Sequence, residues 1–180
     1  LTGFVDGIEL YKAFSPELRE KIEGKNVLYT LDMIYDRMRF GQPKNFKEIN
    51  VREATYTALE QASAMPRSFH PAVWQRESGE KVMHVSPWMA VGIADHEDSE
   101  GDALLQAVCE EIAAKSKSAS YFHHWKTDDM LIWDNWRMLH SVSGHDPKMN
   151  RCMHRTTIKG DYGLGGFEDN REGGAVLEMT

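Results

Sequence analysis

Three residues near the end of the chain have the types and spacing of a ligand-binding site: His140, Arg151 and Arg155. Residues 151–158 alternate as a strand would, so Arg151 and Arg155 share one face, about 13 Å apart at about 3.3 Å per residue. A guanidinium on a partly buried face stays charged and needs an anion from the protein or from a ligand. His140 precedes Arg151 by eleven residues. The pattern indicates a metal ligand beside a carboxylate-binding arginine.

The sequence around these residues resembles the C-terminal signature of the taurine dioxygenase family. The matching segments are WDN at 133–135, His140, RCMHRTTI at 151–158, GD at 160–161, and further back His70-Pro71, Gly79, Tyr11, Gly7-Ile8 and Leu1-Thr2. The resemblance implies a double-stranded β-helix (jelly roll) that uses Fe(II), 2-oxoglutarate as co-substrate, and O2.

The resemblance also implies roles for four residues at matching positions. His140 would be the distal iron ligand. Arg151 would bind the far carboxylate of 2-oxoglutarate, and Thr2 would help to hold it. Arg155 would lie near the substrate and favours an anionic one, although an internal salt bridge would explain this arginine almost as well. No catalytic residue is implied beyond these ligands of the metal and the co-substrate.

The implied activity is oxidation of a small molecule, such as a hydroxylation, with release of succinate and CO2. A neutral imidazole can bind Fe(II) while other metal positions take the keto acid and O2. In the family a His-x-Asp pair supplies the proximal iron ligands upstream of the threonine that matches Thr2, and the sequence begins after that point. Two alternatives therefore stay open: a non-catalytic jelly-roll fragment without a complete metal site, and a 2-oxoglutarate-dependent halogenase.

A second pattern, His96-Glu97-Asp98, could supply two ligands of a 2-His-1-carboxylate triad. It lies in an acidic run directly before a predicted helix, where a solvated turn and a helix cap are the simpler interpretation. His123 and His124 are adjacent on a predicted strand, so their side chains point to opposite faces and cannot jointly hold one metal. His140 remains the preferred metal ligand.

Composition excludes several classes of function. Lys and Arg number 21 and Asp and Glu 28, which gives a formal net charge of −7. An acidic chain with no basic run is not expected to bind nucleic acid or an anionic membrane surface. No apolar run approaches the roughly 18 residues of a membrane span, and the first residues lack a signal-peptide pattern. Two cysteines form no disulfide framework, which favours the cytoplasm. Self-association into a homo-oligomer stays open.

Local patterns predict a mainly β fold with flanking helices (α+β), a jelly roll that is here incomplete. Antiparallel strands are predicted at 26–34, 70–76, 81–86, 119–126, 130–135 and 151–159. Helices are predicted at 6–24 with a break at Ser15-Pro16, at 51–64 and at 99–115. Residues 35–50 are either a solvated loop or a substrate lid. Residues 1–162 are assigned to the C-terminal portion of a jelly-roll dioxygenase domain, and residues 163–180 to a loosely ordered tail.

Overall fold

The computed structural model describes residues 1–32, 34–44, 56, 59–60, 65–144, 146, 148, 152–158, 160 and 164–168. Within these ranges the strands are β1 (Thr2–Asp6), β2 (Asn26–Tyr29), β3 (Ser68–Pro71), β4 (Val73–Gln75), β5 (Lys81–Met83), β6 (Ala90–Ile93), β7 (Tyr121–His123), β8 (Met138–Val142) and β9 (Gly166–Phe167). The helices are α1 (Gly7–Ala13), α2 (Pro16–Ile22) and α3 (Ser99–Ala119). Short 3-10 turns span Tyr35–Arg37 and Pro87–Met89.

The described strands form three sheets, in the orders β7-β1-β8, β6-β2-β3-β9 and β4-β5, and every pairing among them is antiparallel. Strand β1 is central in the first sheet, where Phe4 lies opposite Tyr121 on one side and His140 on the other. The start of the chain therefore pairs directly with the segment that carries His140. The predicted antiparallel, mainly β fold with flanking helices is confirmed.

The break between the first two helices follows from local sequence. Asp6 caps α1, since its side chain accepts a hydrogen bond from the Ile8 amide at 2.9 Å. Pro16 then occupies the first turn of α2, where a missing amide hydrogen costs nothing. The hydroxyl and the amide of Ser15 bind the carboxylate of Glu111, at 3.0 and 2.8 Å, and so attach this corner to α3.

Helix α3 confirms the helix predicted at 99–115 and continues to Ala119. Its N-cap is Asp98, whose side chain accepts from the amides of Glu100 and Gly101 at 3.0 and 2.8 Å. The Asp98 carboxylate thus satisfies two of the first amides of the helix. Among the described residues, no helix is both long enough and apolar enough to cross a membrane.

The hydrophobic core lies where α3 packs against α1, α2 and the sheets. Leu105, Val108 and Cys109 of α3 are completely buried. They contact a core that also contains Val27 of β2 and Ile93 of β6. At about 25 cal/mol per Å² of apolar surface removed from water, each such side chain contributes about 1.5–3 kcal/mol. The helix thereby covers one side of the sheets.

Two predicted strands are wrong. Residues 130–134 are irregular and a turn follows at 135–137, because the Asp134 side chain accepts from the amides of Trp136 and Arg137 at 3.0 and 3.3 Å. The strand forms only afterwards, as β8. Residues 152–158, predicted as part of a strand at 151–159, are irregular and exposed. Alternation predicts a strand only where a neighbouring strand completes the hydrogen bonds, and no described strand pairs with this segment.

The other predicted elements are shorter or only partly described. The strands expected at 26–34, 81–86 and 119–126 are β2, β5 and β7, and the one expected at 70–76 is divided into β3 and β4. Of the helix predicted at 51–64, Tyr56, Leu59 and Glu60 are described, and all three are helical. Residues 45–50 of the predicted loop lie outside the described residues. Beyond residue 162, Gly166–Phe167 pair with β3 as strand β9.

Candidate active site

His140 lies in β8 among aromatic rings. Its imidazole stacks on Phe4 with ring centroids 6.3 Å apart, and Trp133 approaches to 5.3 Å. Although His140 keeps a solvent-exposed side, desolvation by its surroundings and then the positive charge of Arg155 lower its pKa. A lowered pKa keeps the imidazole neutral near pH 7, which is the form that binds a metal ion. The side chain therefore has the protonation state that metal ligation requires.

Two ion pairs position the start of β8, and one of them joins it to β1. Arg137, directly before β8, binds Asp6 at the end of β1 through its Nε, at 3.1 Å from each carboxylate oxygen. Asp134 binds Arg76 at 2.8 Å and also caps the turn before β8. Burial opposes ionisation of Asp134, but the Arg76 guanidinium and the turn amides hold its pKa below the usual value. The WDN segment thus sets where β8 starts, and through the register it fixes the position of His140.

Thr2 lies on the same face of the sheet as His140. It is opposite Val142 in β8, two positions from the Phe4–His140 pair, and residues two apart on a strand share a face. Thr2 is only 7% exposed, and its hydroxyl oxygen accepts a hydrogen bond from the Trp125 indole at 2.8 Å. The structure therefore brings Thr2 and His140 together on one face.

Of the two predicted arginines, the structure describes only Arg155. Arg151 lies outside the described residues, so its assignment to the carboxylate of 2-oxoglutarate stays a prediction. Arg155 is exposed, and its charge acts on His140. It does not belong to a strand, so the 13 Å separation from Arg151 expected from strand geometry has no basis here.

The His96–Asp98 pattern forms a turn and a helix cap. Both residues are exposed, the His96 amide binds the Ile93 carbonyl at 3.0 Å, and Asp98 caps α3. His123 binds Asp129 at 2.9 Å. Within the described part of the chain, no three His, Cys, Asp or Glu side chains are grouped so that they could hold a metal ion. His140 is thus a single candidate ligand, and a complete iron site needs ligands that the described residues do not provide.

Two further histidines, His70 and His84, line the same cavity as His140. The cavity has a volume of about 460 Å³ and is otherwise lined largely by apolar and serine side chains. Burial lowers the pKa of His70. Burial and the nearby His70 lower the pKa of His84 to about 4. Both rings are therefore neutral at pH 7, and Trp136 stacks on His84 with centroids 5.1 Å apart.

In the sequence, His84 lies in the strand predicted at 81–86 and His70 in a segment that matches the family, and neither was assigned to the site. The signal was in the hairpin register. Val73 pairs with Met83, and the His84 amide binds the Ala72 carbonyl at 2.8 Å, so His70 and His84 come to one side with ring centroids 6.3 Å apart. Alternation along the two predicted strands, counted outward from the turn at Gly79, puts His84 opposite Ala72 and His70 on the same face, two positions further along.

Comparison with known sequences identifies the family. The profile of the family described as "Taurine catabolism dioxygenase TauD, TfdA family" matches residues 1–157. Pentalenolactone F synthase of Streptomyces arenae is 24% identical over 158 residues, which cover 86% of this chain and 50% of that protein. The (S)-phenoxypropionate/alpha-ketoglutarate-dioxygenase of Sphingobium herbicidovorans is 26% identical over 161 residues, covering 89% and 52%. The chain spans about half the length of these curated relatives.

Solved structures share the fold. AAD-2, crystallised with Mn(II) and N-oxalylglycine, superposes with a TM-score of 0.61 at 24% identity and covers 85% of this chain and 54% of its own. A putative alpha-ketoglutarate dependent 2,4-D dioxygenase from Burkholderia xenovorans gives a TM-score of 0.52 at 25% identity, covering 77% and 48%. The described strands therefore share the jelly-roll fold of these neighbours. With the profile match over residues 1–157, the chain belongs to the taurine catabolism dioxygenase TauD, TfdA family.

Proposed function

We propose that this chain carries the distal metal ligand and the keto-acid-binding residues of an Fe(II)- and 2-oxoglutarate-dependent oxygenase. The observation that carries the proposal is the β1–β8 register, which puts the Thr2 hydroxyl and the His140 imidazole on one face of a sheet. A buried hydroxyl donor beside a neutral imidazole suits a bound carboxylate next to a metal ion. Family membership supports the same assignment.

In the proposed site His140 would hold the metal ion through its neutral imidazole. Thr2 and Arg151 would bind the 5-carboxylate of 2-oxoglutarate, one by a hydroxyl hydrogen bond and the other by a bidentate guanidinium. When bound, Fe(II), 2-oxoglutarate and O2 supply the oxidising chemistry, with succinate and CO2 as the keto-acid products. The protein's own contribution is to orient these groups and to keep water from them.

The proposed substrate is a small organic anion. Arg155 supports this, because its charge lies near enough to act on His140. The relative named for (S)-phenoxypropionate acts, by its name, on a carboxylate attached to an apolar group. The cavity beside His140 can contact both a polar and an apolar group, since it is lined by serines as well as by apolar side chains such as Met89 and Ile112.

A non-catalytic jelly roll is the second candidate, favoured by one observation. The described residues contain no group of three side chains that could hold a metal. On that alternative the His140 face would serve only for contacts with another polypeptide. Exposed apolar residues on β7 and β8, namely Tyr121, Phe122 and Val142, support self-association under either candidate.

Location and domain limits are also proposals. Both cysteines are free thiols, which supports the cytoplasm. The family match ends at residue 157, close to the proposed end of the jelly-roll portion at 162, with 163–180 as a tail.

The experiment measures Fe(II)-dependent formation of succinate from 2-oxoglutarate in a form of the enzyme that turns over the keto acid. His140→Ala should abolish it. His96→Ala, the same substitution at an exposed turn, should leave it unchanged. Loss of activity in the His96 variant with His140 dispensable would overturn the metal assignment. Absence of succinate from every form of the protein would favour the non-catalytic jelly roll.

The roles of Arg151 and Arg155 are distinguished by titrating 2-oxoglutarate. Removing the charged partner of a semi-buried carboxylate costs about 2–5 kcal/mol, so Arg151→Gln should raise the apparent constant for 2-oxoglutarate at least about tenfold. Arg155→Gln should change that constant little and should alter turnover of the oxidised substrate. The reverse pattern would mean that the two roles are exchanged.

A further inference from the structure

Trp125 donates a hydrogen bond to the Thr2 hydroxyl and thereby determines where that hydroxyl can direct its own proton. Its indole Nε1 lies 2.8 Å from the Thr2 hydroxyl oxygen, across 123 positions of sequence. An indole N–H can only donate, so the threonine oxygen must be the acceptor in this bond. The hydroxyl proton is thereby directed away from Trp125. No described residue accepts it, so it is available to a ligand.

Trp125 is itself held by its neighbours. The His123 ring packs edge-on against it, with centroids 4.8 Å apart at an interplanar angle of 86°. His123 is fixed in turn by Asp129 at 2.9 Å, and the same Asp129 oxygen accepts the Lys126 amide at 2.8 Å. A ring locked in this way holds its N–H in one direction. The Thr2 hydroxyl is therefore oriented before any ligand arrives, which lowers the entropic cost of binding.

We propose that Trp125 is a positioning residue for the keto acid: it fixes the Thr2 hydroxyl as a donor toward the far carboxylate of a bound 2-oxo dicarboxylate. The inference rests on the proposed function, because it takes Thr2 as a carboxylate ligand. It adds a residue that does not touch the ligand and acts only through Thr2. An oriented neutral donor to a carboxylate forms a charge-assisted hydrogen bond, one of the stronger kinds.

This role is distinguishable from a structural one by the choice of ligand. 2-Oxoglutarate carries the far carboxylate, whereas 2-oxobutyrate has the same keto-acid group without it. If Trp125 acts through Thr2, its replacement should weaken binding of 2-oxoglutarate but not of 2-oxobutyrate. General loosening of the sheet would weaken both ligands.

The experiment compares Trp125→Phe, Thr2→Val and the double variant by equilibrium titration of a form of the enzyme that turns over the keto acid, with Mn(II) present as a redox-inert metal and O2 excluded. Trp125→Phe keeps an aromatic ring, although a smaller one, and removes the N–H. It should weaken 2-oxoglutarate about 5-fold and leave 2-oxobutyrate unchanged, while Thr2→Val should weaken 2-oxoglutarate about 10-fold or more. The double variant should bind no more weakly than Thr2→Val alone, since both changes remove one interaction. The matched control is Trp74→Phe, which removes a buried indole donor bonded to the Trp136 carbonyl at 3.0 Å.

The possible outcomes distinguish the positioning role of Trp125 from the proposed function. Binding of 2-oxoglutarate that is weakened by Thr2→Val but not by Trp125→Phe would overturn the positioning role and leave the proposed function standing. Equal weakening of both ligands by Trp125→Phe would also overturn it, by revealing a structural role. No effect of Thr2→Val on binding of 2-oxoglutarate would count against the carboxylate site itself.

A second measurement does not depend on the folding of the Trp125 variant. The indole N–H resonance of Trp125, identified by its displacement in Thr2→Val, should move when 2-oxoglutarate is added to the same form of the enzyme without substitutions. The resonance of Trp74 should not move. An unmoved Trp125 resonance at saturating 2-oxoglutarate would contradict the proposal.

Discussion

Replacing His84 with phenylalanine should make the folded chain less sensitive to acid. Burial and then His70 depress the pKa of His84 from 6.5 to about 4, against smaller opposing effects of the Asn135 backbone and Asp134. The unfolded chain therefore binds a proton more readily than the folded chain. The stability that neutral His84 contributes is complete above pH 6.5 and is lost as the pH falls toward 4. Phenylalanine cannot be protonated and can keep the stack on Trp136.

The size of the effect follows from that pKa. Each factor of ten in proton affinity corresponds to about 1.4 kcal/mol, so the lowered pKa of His84 corresponds to about 3 kcal/mol in the free energy of unfolding. About 2 kcal/mol of this is lost at pH 5. For a chain of this size, about 2 kcal/mol corresponds to a change of about 4–8 °C in melting temperature. Depressed carboxylates such as Asp134 lose their contribution at lower pH, mostly below their ordinary pKa of 3.8. The interval from pH 8 to pH 5 therefore isolates the histidines.

The assay is urea unfolding of the unaltered chain and of His84→Phe, followed by tryptophan fluorescence at pH 8 and at pH 5. The difference between the two proteins at pH 8 reports packing and the lost hydrogen bond to the Asn135 backbone. Between pH 8 and pH 5 the unaltered chain should lose about 2 kcal/mol more than the variant. Some loss should remain in the variant, because burial also lowers the pKa of His70. Equal losses in both proteins would refute the assignment of a buried, neutral imidazole at His84.

Three further outcomes are expected. Gly7→Ala should destabilise the fold by about 1–3 kcal/mol in chemical unfolding despite the better helix propensity of alanine, because a Cβ at Gly7 would lie 2.6 Å from the Arg137 carbonyl oxygen. The control Gly144→Ala should be neutral, because a Cβ there would meet nothing within 4 Å. One thiol per folded chain should react with a disulfide reagent at pH 8, since burial raises the pKa of Cys109 to about 12 while Cys152 is exposed; two fast-reacting thiols without denaturant would contradict this. The chain alone should bind Fe(II) weakly by calorimetry, because its described residues offer no group of three ligands, and tight stoichiometric binding would indicate another site.

The sequence determined the features that depend on local pattern. The apolar stripe of α3 predicted its helix, and the buried Leu105, Val108 and Ile112 confirm which face is inside. The Ser15-Pro16 pair marked the break between α1 and α2. The motif around His140 was sufficient to identify the family. These signals are local because helix periodicity, capping and motif spacing involve residues within a few turns of one another.

Local pattern failed where a long-range partner decides the outcome. Residues 130–135 and 151–159 have the composition of strands, but Asp134 captures the amides of a turn in the first, and no described strand pairs with residues 152–158 of the second. A strand is stable only with a neighbour, and its own sequence does not reveal whether that neighbour is present.

The tertiary structure alone placed the candidate site. The register of β1 with β8 puts Phe4 opposite His140 and so brings Thr2 to the same face, and Trp125 reaches the Thr2 hydroxyl from 123 positions away. A shift of one residue in that register would turn Thr2 to the other face of the sheet while leaving every local pattern intact. The register is fixed instead by packing and by the Asp6–Arg137 ion pair, which join segments that the sequence keeps far apart.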